Sequence, residues 1–115
     1  MKETEAFVQG NTTTIIKRAA INVAGSGDNT IVTAVTGKKI RVLALSLTPA
    51  AAVTARFESA AGGTALTGAM ELGAKVNLVL DYNPVGWFET TAGALLNLEL
   101  SGATSVDGCI VYAEV

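Results

Sequence analysis

The sequence predicts an all-β fold: a single antiparallel β-sandwich, jelly-roll-like, of about eight strands, with an extended N-terminal arm. Three observations point to it. Apolar residues recur at every second position in short runs, clusters of Gly, Asn, Asp and Pro punctuate those runs, and no stretch with helical spacing is longer than a turn. Residues 1–12 read as the arm and residues 13–115 as the β-sandwich domain.

The arm is a polar lead-in that ends at Gly10-Asn11 and carries Phe7-Val8 as its apolar content. A first strand follows from Thr13 to Ala24, with Ile15, Ala19, Ile21 and Val23 on one side. Gly25-Ser26-Gly27-Asp28-Asn29 is a turn of residues that tolerate positive φ. Thr30 to Val35 is the second strand, and Thr36-Gly37-Lys38-Lys39 is a compact connection to the third. That third strand, Ile40 to Leu47, is apolar on both faces: Ile40, Val42 and Ala44 on one, Leu43, Leu45 and Leu47 on the other. Such a strand is expected to be central, or covered by a second layer or a neighbouring subunit.

Pro49 and Ala50-Ala51-Ala52 end it, and Val53 to Ser59 alternates cleanly, Val53, Ala55 and Phe57 inward and Thr54, Arg56 and Glu58 outward. Leu66 to Leu72 is a weaker strand with a bulge expected at Gly68. Lys75 to Leu80 turns Val76, Leu78 and Leu80 inward. After the loop Asp81 to Gly86 comes a short aromatic strand around Trp87-Phe88. Gly93 to Leu100 could be read as a helix, but Leu96, Leu98 and Leu100 alternate with Asn97 and Glu99, which is strand spacing. Cys109 to Val115 closes the set.

The chain has 115 residues, enough for one domain with a sizeable core and too few for two ordinary ones. Half of it is hydrophobic and 16% is charged. The mean hydropathy, +0.44, is high for a soluble monomer and points to a core unusually rich in small apolar residues, to apolar surface covered by partners, or to a mixture of the two. The net charge is −2, and no basic stripe exists to follow a phosphate backbone, so no nucleic-acid partner is expected. The polar start Met1-Lys2-Glu3-Thr4-Glu5 shows no signal peptide, and no apolar run approaches a membrane span, so no membrane partner is expected either. The lone Cys109 excludes an intrachain disulfide and, within Cys109-Ile110-Val111-Tyr112, is expected to be a buried, inert thiol.

Catalytic chemistry is hard to build from these residues. The sequence has no histidine, which removes imidazole acid–base catalysis, Ser-His-Asp and Cys-His nucleophiles and histidine metal sites. Thr30 stands where a dinucleotide-binding Gly25-Ser26-Gly27 loop needs its third glycine, and Val32 where a Walker loop ending at Gly37-Lys38 needs its first. Asp81 and Glu89 are the one carboxylate pair worth weighing for glycoside hydrolysis, against the plainer reading of solvated charges. Asp28, Asn29 and Asp107 could hold calcium, although Asp107-Gly108 is ordinary turn chemistry. Asn11-Thr12-Thr13 fits the glycosylation sequon, which means nothing without secretion. The expectation is a protein that is not an enzyme and takes no cofactor.

What stands out is apolar. Asn83-Pro84-Val85-Gly86-Trp87-Phe88 sets the only Trp beside one of three Phe, straight after a rigid turn. These rings can plug the end of the sandwich or anchor an interface, and Tyr82, Pro84, Trp87 and Phe88 are the candidates for the second role. Phe7 and Val8 are the corresponding candidates on the arm. Lys38, Lys39 and Arg41, near one hairpin end, are candidates for meeting an acidic partner surface, with solvated turn charges as the alternative.

Three segments, Ile31 to Leu47 (IVTAVTGKKIRVLALSL), Asn83 to Leu100 (NPVGWFETTAGALLNLEL) and Cys109 to Val115 (CIVYAEV), resemble a group of small structural proteins of tailed phages and prophages. The likeness runs from about Ile21 onward and leaves out the arm. It implies a virion component, made in the cytoplasm of the bacterial host and located on the capsid exterior. For a free-standing jelly-roll-like domain it implies a capsid decoration (cement) protein. Its implied partners are the major capsid protein and further copies of itself, a trimer being favoured. A tail or head-fibre module that binds a host surface glycan or protein is the alternative.

Overall fold

Alternation becomes two antiparallel sheets. The computed structural model describes residues 2–9 and 12–115, with side chains from Thr14 onward. Among these residues there are eleven strands and no helix: β1 (Lys2–Gln9), β2 (Thr12–Val23), β3 (Gly27–Val32), β4 (Ile40–Pro49), β5 (Val53–Ser59), β6 (Thr64–Ala65), β7 (Met70–Leu72), β8 (Leu78–Leu80), β9 (Phe88–Glu89), β10 (Leu96–Leu100) and β11 (Val106–Glu114). One sheet runs β1-β2-β11-β4-β8, with β9 also on β4; the other runs β3-β10-β5-β6, with β7 also on β5.

Strand order identifies the roll. β2 pairs with β11, β3 with β10, β4 with β8 and β9, and β5 with β6 and β7, so first meets last and each inner leg meets its counterpart. This nesting of a folded-over hairpin is the jelly roll. β1 lies outside the nested set. The segment read as an arm is therefore a strand, paired antiparallel to β2.

The core lies between the sheets. Ile21, Val42, Leu45, Leu47, Ile110 and Tyr112 from one sheet meet Val32, Ala55, Phe57, Leu96, Leu98 and Leu100 from the other, all buried. Each large side chain so covered is worth about 1.5–3 kcal/mol of transfer free energy.

Three strands depart from the alternation expected of them: the one expected from Lys75 to Leu80 is a strand only at Leu78–Leu80 and leaves Val76 57% exposed instead of inward, and two others change course midway. In β4, Tyr112 faces Val42 while Val111 faces Ala44, so Leu43 has no opposite residue and forms a bulge. The bulge reverses the faces: Val42 before it and Leu45 and Leu47 after it are all in the inter-sheet core, while Leu43 packs with Ile16 and Ala113 in a separate cluster. The apolar character of both faces thus records a change of parity in mid-strand. The expected strand from Leu66 to Leu72 is reduced to β7, with β6 ending just before it and a bend at Leu66-Thr67 between them. There Phe57 N–H bonds the Thr67 hydroxyl, and Leu66 N–H bonds the Phe57 carbonyl.

Tyr112 is wholly buried, and its hydroxyl has no partner among the described residues. Burial, helped by the charge of Glu114, pushes its pKa up to about 12. A raised phenol pKa favours the folded state fully below the ordinary value of about 10, and that share is lost as pH climbs toward the folded value. Tyr112→Phe should raise stability by about 1 kcal/mol, because it removes a hydroxyl that is desolvated without compensation. It should also abolish the loss of stability between pH 10 and about 12. Denaturant melts of the two proteins at neutral and alkaline pH check both outcomes.

A candidate docking loop

The segment between β8 and β9 is held in one shape by its own backbone. Gly86 N–H donates to the Asn83 carbonyl at 2.9 Å, closing a four-residue turn with Pro84 and Val85 at its centre. Val85 N–H donates to Asn83 Oδ1 at 3.0 Å, the side-chain brace typical of asparagine in turns. Asn83 N–H reaches the Leu43 carbonyl and Trp87 N–H the Val42 carbonyl, each at 2.8 Å, so both ends are fastened to β4 beside its bulge. Gly86 has φ +96°, and a Cβ there would sit 2.5 Å from Arg41 Cγ, so the turn needs a residue without a side chain.

This frame divides the aromatic pair. Phe88 turns inward and meets Phe57 with ring centroids 5.1 Å apart. Trp87 remains 46% exposed, its Nε1–H donating to the Asp81 carbonyl at 2.7 Å. Tyr82 and Val85 are 51% and 73% exposed. Three large apolar side chains therefore face solvent within six residues of a fastened loop. The two roles weighed for the segment are shared out: Phe88 belongs to the core, Tyr82, Val85 and Trp87 to the surface, and Pro84 shapes the turn.

Beside Trp87 a cavity of about 210 Å³ opens between the sheets, lined by Phe57, Leu66, Met70, Leu78 and Leu80 among others. The Thr67 hydroxyl in its wall is already engaged, accepting from Phe57 N–H and donating to the Gly68 carbonyl. The indole N–H is engaged as well.

The basic candidates are largely neutralised. Arg41 Nε lies 2.9 Å and Lys39 Nζ 3.4 Å from the Glu89 carboxylate; β4–β9 pairing sets Arg41 opposite Glu89, and Lys39 immediately precedes β4. Lys38 sits exposed on the turn before β4, its N–H bonded to the Val35 carbonyl. Hydrogen bonding from Arg41 holds the Glu89 carboxyl below its usual range, against the opposing effect of burial and with further help from Lys39. Glu89 is thus held in its charged form by the two cations beside it.

Phe7 and Val8 lie in β1, opposite Thr14 and Thr13. Their side chains are outside those described. The structure does not bring them to the aromatic loop: β1 is the terminal strand on one side of its sheet, and β9 pairs with β4 toward the other.

Two further expectations are corrected. Cys109 is exposed, because Ile110 and Tyr112 fill the core and strand parity turns Cys109 the other way. Asp28 and Asn29 lie on β3 and Asp107 on β11, in different sheets, so they share no calcium loop. Carboxylate oxygens of Asp28, Glu58 and Glu99 do come within 4.8 Å of one another on the second sheet. Asn97, fully buried, donates to Asp28 and Glu58 at 2.9 Å each, and Arg56 pairs with Glu58 and Glu99. The signal for this cluster was in the sequence: Arg56-x-Glu58 and Asn97-x-Glu99 each place polar residues on one face of a strand.

Comparison of the chain with protein-family models, curated proteins and solved structures finds no match.

Proposed function

We propose that this chain is a structural component of a tailed-phage virion, a decoration protein that docks on the outer surface of the expanded capsid through the Tyr82–Trp87 loop. The observation that carries the reading is the fastened loop with Tyr82, Val85 and Trp87 exposed on it. Surface aromatics held rigid lose little entropy on binding, and such residues dominate interface energetics. The resemblance of Asn83–Leu100 and its companion segments to phage structural proteins supplies the partner, the major capsid protein. A decoration protein stabilises the shell by binding only its expanded form, and symmetry repeats each modest contact many times.

The exposed Tyr82 and Trp87 also suit a glycan-binding tail or head-fibre module, and jelly rolls serve lectins as well as capsids. The cavity beside Trp87 weighs against that, since its engaged polar groups leave little to meet sugar hydroxyls.

Immunogold microscopy of intact virions with antibody to the native chain tests the assignment. Gold over the head is expected; gold confined to the tail would favour the glycan or host-protein module, and clean unlabelled virions would remove the virion reading. In co-sedimentation with expanded shells, Trp87→Ala should weaken binding about 30-fold, the loss expected for a hot-spot residue of about 2 kcal/mol. Unchanged binding by a folded Trp87→Ala protein would sink the loop's role.

A further inference from the structure

The β1–β2 hairpin outruns its sheet. Ile16 is the residue of β2 nearest its start that pairs with β11, opposite Ala113. Ahead of it, Thr12–Ile15 pair, among the described residues, only with Ala6–Gln9 of β1, so this end is a two-stranded ribbon. Such ribbons are marginally stable alone, and three or more strands are needed for independent stability. Ile15, on the ribbon, is 38% exposed although it shares strand parity with Ile21 of the core.

β1 is also a terminal strand of its sheet and, at eight residues, longer than the other terminal strands β3, β6 and β8. Edges of this kind template further pairing unless something blunts them. Its first half is blunted: the register slips between Glu3 and Glu5, leaving a bulge at Thr4, and Lys2, Glu3 and Glu5 carry charge. Ala6–Gln9, the half within the ribbon, has neither bulge nor charge.

We propose that the outer edge of β1 pairs antiparallel with β1 of a second copy of this chain, across a two-fold axis at the ribbon. Two ribbons side by side make four strands, which passes the threshold that each fails alone. An antiparallel edge is its own complement under a two-fold axis, so one surface supplies both halves of the contact. Charge selects the direction. Antiparallel pairing over Glu5–Gln9 sets Phe7 opposite Phe7 of the second copy and Glu5 opposite Gln9, whereas in-register parallel pairing sets Glu5 against Glu5. The contact yields even-numbered assemblies, in contrast to the three-fold one that the phage resemblance implies. It does not depend on what the chain decorates.

Native mass spectrometry of the full chain is the test, read beside Ala6→Pro and Phe7→Pro variants. Adjacent strand residues aim their N–H groups at opposite edges, so one of these prolines removes a donor toward β2 and the other a donor on the outer edge. The unsubstituted chain should be a dimer or a multiple of one, and the outer-edge proline should make it a monomer with its melting temperature kept. A monomeric or trimeric parent, or dimers persisting in both variants, would overturn the proposal. A dimer that ignores expanded capsids would leave the edge pairing standing and remove the capsid reading; a monomer that binds them would do the reverse.

Discussion

Replacing Gly108 with valine should destabilise the fold by about 3–5 kcal/mol, a large share of the roughly 5–15 kcal/mol that holds a domain of this size together. Gly108 stands in β11 between Ile21 of β2 and Leu47 of β4, in the middle of the larger sheet. A Cβ at this position would lie on the Ser46 carbonyl oxygen and within 2.8 Å of Leu47 Cα. These are main-chain atoms, so no side-chain rotation relieves the overlap and β4 must move away from β11. That movement breaks ladder hydrogen bonds on either side, each worth about 1 kcal/mol net. It also opens the face where Leu45, Leu47 and Ile110 pack. Alanine already carries the offending carbon and should show most of the effect, with valine adding its branches. Urea titration reads the difference as a shift of midpoint. A Gly108→Ala protein that unfolds at the parent's midpoint would mean that β4 and β11 are not this close.

Gly108 marks where sequence patterning stops being informative. Its dipeptide Asp107-Gly108 has turn chemistry, and the closing strand was expected to begin at Cys109; it begins at Val106, because β2 and β4 on either side extend the ladder through the glycine. Short-range alternation did reveal the cores of β5 and β10, since period-two patterning is a local property of a half-buried strand. The nesting of β2 with β11 and β3 with β10 is not local, because it joins segments from opposite ends of the chain. The bulge at Leu43 could not be read either, as a two-sided apolar strand has the same pattern with or without a change of parity. At the loop, Asn83, Pro84 and Gly86 announced a rigid turn through ordinary turn chemistry. Which aromatic faces out depended on β4: Phe88 pairs opposite Val42, a core residue, and so points into the core. The pairing of Arg41 and Lys39 with Glu89 rests on that same β4–β9 contact, which joins residues 48 or more apart in sequence and leaves no local pattern.

Asn97→Leu should cost about 3 kcal/mol, even though it puts an apolar residue of similar size into a fully buried position. The Asn97 amide donates to Asp28 and to Glu58 and accepts the Asn29 N–H, each at 2.9 Å. Leucine satisfies none of these groups. Glu58 is 1% exposed and would remain charged, with Arg56 as its chief partner. Burial works to raise the Glu58 pKa, yet hydrogen bonds donated by Arg56 and Asn97, with the charge of Arg56, hold it below the ordinary range. A carboxyl depressed in the folded state contributes stability that is present above its unfolded pKa and is lost as pH falls through its folded value. The parent should therefore lose stability as the medium is acidified below about pH 4.3, the ordinary glutamate value. Asn97→Leu should flatten that acid dependence, because one of the groups that depress Glu58 is gone. The decisive comparison is Asn97→Leu with Glu58→Leu. Removing both the amide and the carboxylate leaves no stranded buried charge at Glu58, so the double variant should be more stable than Asn97→Leu alone. Strictly additive losses in denaturant melts would show that Glu58 is stabilised independently of Asn97, and would place its support on Arg56 alone.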